Sequence, residues 1–388
     1  MINKVLILVV FTLFGGIYLE AQNDSTSTKN VKKKLSFRDP DDGAFDVSNF
    51  LLEHNGVLPV IIPVTEPAVG YGGGAAVLYF HKKKKKYKTY VPNNVSGLIG
   101  LYTENKTWVA GAFHSHTFGE NKIRSTTAII KPNVRYKYYG KNSEILAKYP
   151  IGVNLDSWYL YQKIQAKVGN TNLFLGGSYA YFTSKISLAP IPNAPDIINQ
   201  IIDKLNTNSR ISAIKPTATF DTRNNNFTPS KGILSEVSAN YSATWLGSDD
   251  DYVTLATDFF GYLPVTSKLN SKFRFQGSYL FGNDAPFYAF PFVSLRGIPA
   301  MRYQNEITLV GETEWSYNIY KRWRLTAFTG GGKAISDFSD FGSAEWAYNI
   351  GTGFRYKIAK MLGVDMGMDF AWGNAKDFAF YIVFGTSW

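Results

Sequence analysis

The residues best placed to do chemistry in this chain are one loop arginine and a group of carboxylates that come after it. The loop segment is Leu295, Arg296, Gly297 and Ile298. The carboxylates are Glu312, Glu314, Asp365 and Asp369. A guanidinium in an apolar interior is costly unless a carboxylate pairs with it. We therefore expect Arg296 to pair with Glu312 or Glu314, and the two aspartates to be additional acids of the same interior. On these residues alone, an arginine exposed on a surface loop is the alternative.

Catalytic motifs are missing from the sequence. It contains no Gly-x-Ser-x-Gly elbow, no Gly-x-x-x-x-Gly-Lys-Ser/Thr loop and no His-Glu-x-x-His motif. The chain has no cysteine, which excludes disulfides, thiolate metal sites and a cysteine nucleophile. His114 and His116 share a strand face, but no third ligand is evident and a metal site normally needs three or four. We expect no enzyme activity, no catalytic residue, no cofactor and no metal.

From Val57 onward, alternating segments are separated by clusters of Gly, Asn, Asp and Pro. Each segment predicts a β-strand, because successive side chains on a strand point to opposite faces. The predicted strands span 57–64, 70–81, 93–103, 106–118, 122–139, 157–169, 171–187, 209–222, 231–246, 251–264, 268–282, 307–319, 321–335, 344–359, 361–372 and 376–388. We expect an all-β fold, a transmembrane antiparallel β-barrel of about sixteen strands.

The lengths of the connections favour the same fold. Long connections at 140–156, 188–208 and 283–306 alternate with tight turns such as Gly119–Asn121 and Lys360. In membrane barrels the outer loops are long and the periplasmic turns are short. This order makes 283–306 the sixth outer loop, and we expect it to fold into the barrel.

The two faces of the predicted strands differ as a membrane wall requires. In 344–359 the apolar face carries Trp346, Tyr348, Ile350, Thr352, Phe354, Tyr356 and Ile358, and the opposite face Ala347, Asn349, Gly351, Gly353, Arg355 and Lys357. On the lipid face, Lys or Arg would cost about 2–4 kcal/mol at the bilayer midplane, so the second face belongs in the lumen. Aromatic residues make up 16% of the chain, which is typical of the girdles of membrane barrels.

The N-terminus is typical of an exported protein. A positive residue, Lys4, precedes an apolar stretch and a small-residue cleavage site, which predicts a signal peptide at 1–21. Residues 22–56 are polar and are expected to form a periplasmic or plugging leader, and 57–388 the barrel. The formal charge of +11 comes from dispersed basic residues on an exported chain, so no nucleic-acid partner is expected. Outer-membrane lipids are the expected surroundings.

The last predicted strand has an aromatic face. Its members are Phe378, Phe380, Ile382, Phe384, Thr386 and Trp388. Ala379, Tyr381, Val383, Gly385 and Ser387 form the other face. This period of two predicts a closing strand whose aromatic face, including Trp388, meets lipid.

Four segments carry recognisable motifs in a fixed order: 220–225 with 229–232, 295–298, 311–315 and 368–373. Together they resemble the BamA/TamA family, also called the bacterial surface antigen superfamily. The segment 295–298 is similar to the Val-Arg-Gly-aromatic tip of its sixth outer loop. The resemblance covers about residues 57–388. It implies a barrel in the outer membrane of a Gram-negative bacterium, with Phe380, Phe384 and Trp388 as the C-terminal assembly signal.

The sequence departs from this family in two places. Strand thirteen of the family carries an aspartate that helps to hold the loop arginine, but Gly330 stands at that position here. Another carboxylate must replace it, and Glu312 or Glu314 is expected to do so. In addition, residues 22–56 are too few for a periplasmic POTRA domain, the module that captures clients in family members with transport roles.

The resemblance implies a role in inserting or translocating proteins or other envelope components, with other outer-membrane or periplasmic assembly proteins as partners. The first predicted strand contains Pro59 and Pro63, and each removes an N–H that could pair. A weak seam between the first and last strands could then pair with client strands. Two alternatives stay open: a passive or gated pore for small solutes, and a structural subunit of an outer-membrane complex.

Overall fold

The computed structural model describes residues 37–48, 57–81, 94–140, 146, 149–189, 200, 208–225, 228–282, 284–361, 363–374, 377–386 and 388. The predicted signal peptide and most of the predicted leader lie outside these residues. No helix in the described part of the chain is long and apolar enough to cross a membrane.

Sixteen strands form one antiparallel sheet, which confirms the predicted fold class. The strands are β1 (Val57–Val64), β2 (Gly72–Phe80), β3 (Val95–Thr103), β4 (Trp108–Phe118), β5 (Ile123–Tyr138), β6 (Ile151–Lys167), β7 (Leu173–Ala189), β8 (Asn208–Asp221), β9 (Gly232–Ser242), β10 (Tyr252–Pro264), β11 (Leu269–Phe281), β12 (Ile307–Tyr320), β13 (Trp323–Ile335), β14 (Ala347–Ala359), β15 (Val364–Gly373) and β16 (Phe378–Phe384). Each strand pairs with its neighbours in sequence, so every connection is a hairpin.

Exposed and buried side chains alternate along the strands, so the outer and inner faces of the wall differ. In β12 the outward side chains Trp315, Tyr317 and Ile319 are exposed, whereas Glu312 and Glu314 are buried. The same alternation exposes Ile350 of β14 and buries Arg355. An apolar outer face and a polar inner face are what a strand between lipid and a lumen requires.

The long connection between β11 and β12 packs against the inner wall. Tyr288, Phe292 and Met301 join the hydrophobic core formed by inward residues of β1 to β8, β10 and β11. Leu295 and Ile298 pack in a second cluster with residues of β12 and β14. Burial of these apolar side chains holds the loop inside the barrel.

Thirteen strands lie within three residues of the predicted bounds, and β6, β9 and β16 differ by four or more residues at one end. β6 begins at Ile151, six residues before the predicted start, because Gly152, Asn154 and Asp156 looked like loop residues. Their neighbours Ile151, Val153 and Leu155 are buried, so the segment alternates as a strand whose outward side is polar. β9 ends at Ser242, and a short 3-10 helix over Thr244–Leu246 lies where strand was predicted.

Candidate functional site

Register between β11 and β12 places cations opposite the two glutamates. Arg274 lies across from Glu312 and Lys272 across from Glu314. Arg274 Nε donates to Glu312 Oε2 at 2.9 Å, and Lys272 Nζ donates to Glu314 Oε1 at 2.8 Å. All four side chains point inward and are buried. These two bonds use Glu312 Oε2 and Glu314 Oε1.

Arg296, at the tip of the loop, donates hydrogen bonds to the other carboxylate oxygen of each glutamate. Its Nε donates to Glu312 Oε1 at 3.1 Å, and its Nη1 donates to Glu314 Oε2 at 2.8 Å. Nη1 also donates to Asp369 Oδ2 of β15 at 2.9 Å. The guanidinium carbon lies 3.4 Å from the centroid of the Phe328 ring, a cation–π geometry. The structure therefore brings Arg296 together with three of the four predicted acids.

The cluster is nearly balanced in charge. Arg355 of β14 donates from Nη1 to Asp369 Oδ1 at 2.7 Å and from Nη2 to Oδ2 at 2.9 Å. Asn349 Nδ2 donates to Glu312 Oε1 at 2.8 Å and to the carbonyl of Arg296 at 2.9 Å. Four cations thus face three carboxylates, and each carboxylate serves more than one donor. Such shared, charge-assisted hydrogen bonds are what a buried charge needs.

Asp365, the fourth predicted acid, lies apart from the loop arginine. Its Oδ2 is 2.9 Å from Arg324 Nη2 of β13. Asp365 stands four residues before Asp369 on β15, toward the periplasmic end of the strand. It therefore belongs to the lumen wall and makes no direct contact with Arg296 in the described residues.

Gly330 stands at its position because Glu312 fills the space beside it. A Cβ at Gly330 would lie 2.6 Å from the Gly311 carbonyl oxygen and 2.9 Å from the Glu312 Cβ and Cγ. An acidic side chain on this strand position would clash with the side chain that holds Arg296. Asp369, two strands further along, supplies the third carboxylate instead.

The loop tip also touches the last strand. Gly297 has a φ of +88°, and a Cβ there would lie 3.0 Å from the Ala371 carbonyl carbon. Glycine permits this close approach to β15. The Gly297 N–H donates to the Tyr381 hydroxyl of β16 at 2.9 Å. Tyr381 was not predicted as a site residue, although its position on the inward face of β16 could be read from the alternation.

We call the gap between β1 and β16 the seam. In the part of the chain that the structure describes, no hydrogen-bonded register joins these two strands. The rings of Tyr71, beside β2, and Phe380 of β16 stack across it with centroids 5.4 Å apart. Ile61 of β1 is 86% exposed on the outer side. The seam thus depends on side-chain contacts where every other pair of neighbouring strands has a ladder.

The predicted outward position of Trp388 is wrong. Phe380, Phe384 and the rest of the aromatic face up to the strand end point outward, but β16 ends at Phe384 and Gly385 turns the chain with a φ of +80°. The Trp388 indole centroid lies 5.8 Å from the guanidinium carbons of both Arg274 and Arg296. A single residue of positive φ breaks the period of two, so alternation could not place the residues after Gly385.

Residues 37–48, which belong to the predicted leader, form an acidic hairpin beside the short turns after β12 and β14. Arg322, in the turn between β12 and β13, is buried among its carboxylates. Its guanidinium nitrogens lie 2.8 Å from Asp39, 2.8 Å from Asp42 and 2.6 Å from Asp46. The turn between β14 and β15 adds Lys360, whose Nζ donates to Asp41 Oδ2 at 2.7 Å.

A comparison with known families decides the identity of the barrel. A sequence model of the Omp85 superfamily domain matches residues 130–388. The chain belongs to the Omp85 superfamily. It is therefore a barrel of the Gram-negative outer membrane. No curated protein matches the sequence.

Three solved structures share the fold of this Omp85 protein. BamA from Haemophilus ducreyi, solved without POTRA domains 1–3, matches with a TM-score of 0.57 and 13% identity, over 99% of this chain and 78% of that one. CdiB from Acinetobacter baumannii matches with a TM-score of 0.54 and 9% identity, over 85% of this chain and 59% of that one. CdiB from Escherichia coli matches with a TM-score of 0.55 and 9% identity, over 84% of this chain and 62% of that one. The likeness shows a shared fold.

Proposed function

We propose that this barrel helps to insert or translocate proteins or other envelope components at the outer membrane, through its β1–β16 seam. The observation that supports the proposal is the missing ladder between these strands in the described part of the chain. The mechanism is not enzymatic. A client strand would pair with the free edge of β1 or β16 by main-chain hydrogen bonds, as in β-strand addition.

The two edge strands are suited to temporary pairing. β16 has seven residues and β1 has eight, whereas β6 and β7 have seventeen each. Pro59 and Pro63 of β1 offer no N–H to a partner. A short edge with fewer donors forms a weaker ladder, so a client strand can be released.

The loop tip connects the seam with the interior of the barrel. Gly297 donates to Tyr381 of β16, and the neighbouring Arg296 is bound by β12 and β15. The loop thus holds β16 from inside while its edge stays unpaired. This arrangement supports a barrel that opens at the seam without losing its inner packing.

Crosslinking the seam tests the proposal in a chain without native cysteine. Ile62→Cys with Ala379→Cys places one thiol in the outer half of each edge strand, and oxidation to a disulfide in native membranes is scored on gels. Val60→Cys with Ala76→Cys is the control, because these residues are direct partners in the β1–β2 ladder. Growth and the amounts of other outer-membrane proteins are measured for both.

We expect the seam crosslink to lower the amounts of other outer-membrane proteins and the control crosslink to leave them unchanged. Full growth and a normal membrane proteome with a crosslinked seam would overturn it. Conductance that rises when 285–301 is deleted, together with a harmless crosslink, would then favour the solute pore. Stable co-purifying partners would favour the structural subunit.

A further inference from the structure

Three neighbouring strands are longer than the membrane requires. β5, β6 and β7 have 16, 17 and 17 residues. A tilted strand crosses the hydrocarbon layer in about 9–11 residues. Their periplasmic turns, 119–122 and 168–172, are short, so the surplus projects on the outer side. The outer ends of these strands therefore stand in the headgroup layer and above it.

The outward face of these strands carries no charged residue up to the height of Leu160, and charged residues begin beyond it. Ile129 of β5 and Leu160 of β6 are direct partners, and both are exposed on the apolar part of the wall. Trp158, two residues further out on β6, is 48% exposed. Aromatic side chains of this kind mark the boundary between hydrocarbon and headgroups. Residues beyond Trp158 therefore face headgroups or water.

A basic band lies directly beyond this boundary. We use this name for Lys131, Arg135 and Lys137 of β5 and Lys185 of β7. The three residues of β5 have the same parity as Ile129, so they share its outward face. Lys185 is the direct partner of Asp156 on β6, and Arg135 is the direct partner of Asn154. The register thus gathers the cations of β5 and β7 on one patch.

The charge of this band is largely uncompensated. Lys131 pairs with Asp156 and lies 5.4 Å above the Trp158 ring centroid. Arg135, Lys137 and Lys185 are exposed and make no ion pair within the described residues. A solvated basic face would serve solubility, but this one begins where the apolar wall ends. The combination matches an amphipathic anion with acyl chains below and phosphates above.

We propose that the outward face of β5–β7 binds a phosphate-bearing glycolipid of the outer leaflet. The acyl chains lie on the wall around Ile129 and Leu160, and the phosphates bind Arg135, Lys137 and Lys185. Clusters of Lys and Arg beside a membrane are the usual electrostatic match for anionic lipids. The site is independent of the seam, so it stands whether or not the barrel transports clients.

Glycolipid retention by the purified full-length chain in nanodiscs tests this site. The probe is a diglucosamine glycolipid that carries two phosphates, compared with the same glycolipid after phosphatase treatment. The test variant is R135Q/K137Q/K185Q. The control is K122Q/K268Q/K321Q, which removes equal charge from exposed lysines on periplasmic turns. Bound glycolipid is counted by native mass spectrometry.

We expect the wild type and the control to retain the phosphorylated glycolipid, and the test variant to bind it about tenfold more weakly or worse. Retention should fall as salt rises, because the contacts are exposed. Equal retention by the test variant and the wild type would overturn the proposal. So would equal binding after phosphatase treatment, or inorganic phosphate competing at the concentration of the glycolipid.

Discussion

Arg296 stands at the centre of a buried network in which every charge has a partner of opposite sign. Such a network contributes little net stability when complete, because desolvation offsets the attraction. Removing one member is different, since the charges left behind lose their partners but remain buried. Glu312, Glu314 and Asp369 would all face the lumen with one donor fewer. Removing Arg296 is therefore expected to cost more stability than its ion pairs contribute to the intact protein.

Replacing Arg296 by Ala should destabilise the barrel by about 3–5 kcal/mol, because three buried carboxylates lose a shared cation. The free energy of unfolding is measured by urea titration of the detergent-folded protein, followed on gels by heat-modifiable migration. Arg302→Ala is the matched control. It lies in the same loop, but its pair with Asp377 is partly exposed, at 2.8 Å, and should cost about 1 kcal/mol or less. Equal losses for the two variants would contradict the network.

The acidic hairpin shows how a short segment is fixed without a domain of its own. Residues 37–48 contain a β-bridge between Arg38 and Phe45, and Asp39 exchanges main-chain hydrogen bonds with Gly43 and Ala44. The Val47 N–H donates to the Ile358 carbonyl at 2.9 Å. The hairpin thus packs against the periplasmic turns next to β13 and β14, on the side of the barrel that faces away from the outer loops.

The docking of the hairpin should depend on pH in an acidic range. The hydrogen bond from Arg322, aided by the Ala44 N–H, lowers the pKa of Asp42 from 3.8 to about 2. For a carboxyl with a lowered pKa, stabilisation is fully present above the unfolded value and is lost as pH falls through the folded value. We expect the hairpin to stay docked at pH 6 and to release between about pH 4 and 2.

Cleavage near residue 43 by an acid-active protease, and by a neutral one at pH 6, measures this release. Arg322→Gln should expose the hairpin already at pH 6, because three aspartates lose their shared cation. Lys321→Gln, in the same turn, removes the same charge from an exposed side chain and should leave the hairpin protected. Protection of the Arg322 variant at pH 6 would mean that apolar contacts hold the hairpin.

The number of hydrogen bonds between neighbouring strands varies around the barrel wall. Strands β5 to β7 are long and have ladders on both edges, whereas β1 and β16 are short and each has one ladder in the described part of the chain. Local opening is easiest where few hydrogen bonds must break. The weak part of the wall is therefore the seam.

Hydrogen exchange of the folded barrel in nanodiscs should show the same order. Amides of β1 and β16 are expected to exchange fastest among the strands, and those of β6 and β7 slowest, because exchange reports the opening of hydrogen bonds. The Val60–Ala76 crosslink should slow β1 and β2 but leave β16 unchanged. Uniform protection around the wall would mean that the seam is closed by contacts as strong as a ladder.

Much of this architecture could be predicted from the sequence because side chains of a strand alternate between two faces, so placing one residue places the others. Period two assigns each residue to lipid or lumen, and it correctly gave Trp315 and Glu314 opposite faces. The same rule does not identify Asn154 and Asp156 as strand residues, because polar outward residues resemble a loop where a strand extends above the membrane. The sequence shows that Gly330 replaces the aspartate of the family, but only the structure shows that Glu312 crowds this position.

The sequence by itself determined the strands, their faces and the loop that carries Arg296, because these depend on local alternation and on connection length. Only the tertiary structure decided which acids reach the guanidinium. Asp369 is 73 residues away along the chain, and it meets Arg296 only when the wall curves around the inserted loop. Trp388 likewise reaches the lumen through one positive φ at Gly385. Contacts across the barrel depend on the curvature of its wall and on single turns, and neither leaves a periodic signal in the sequence.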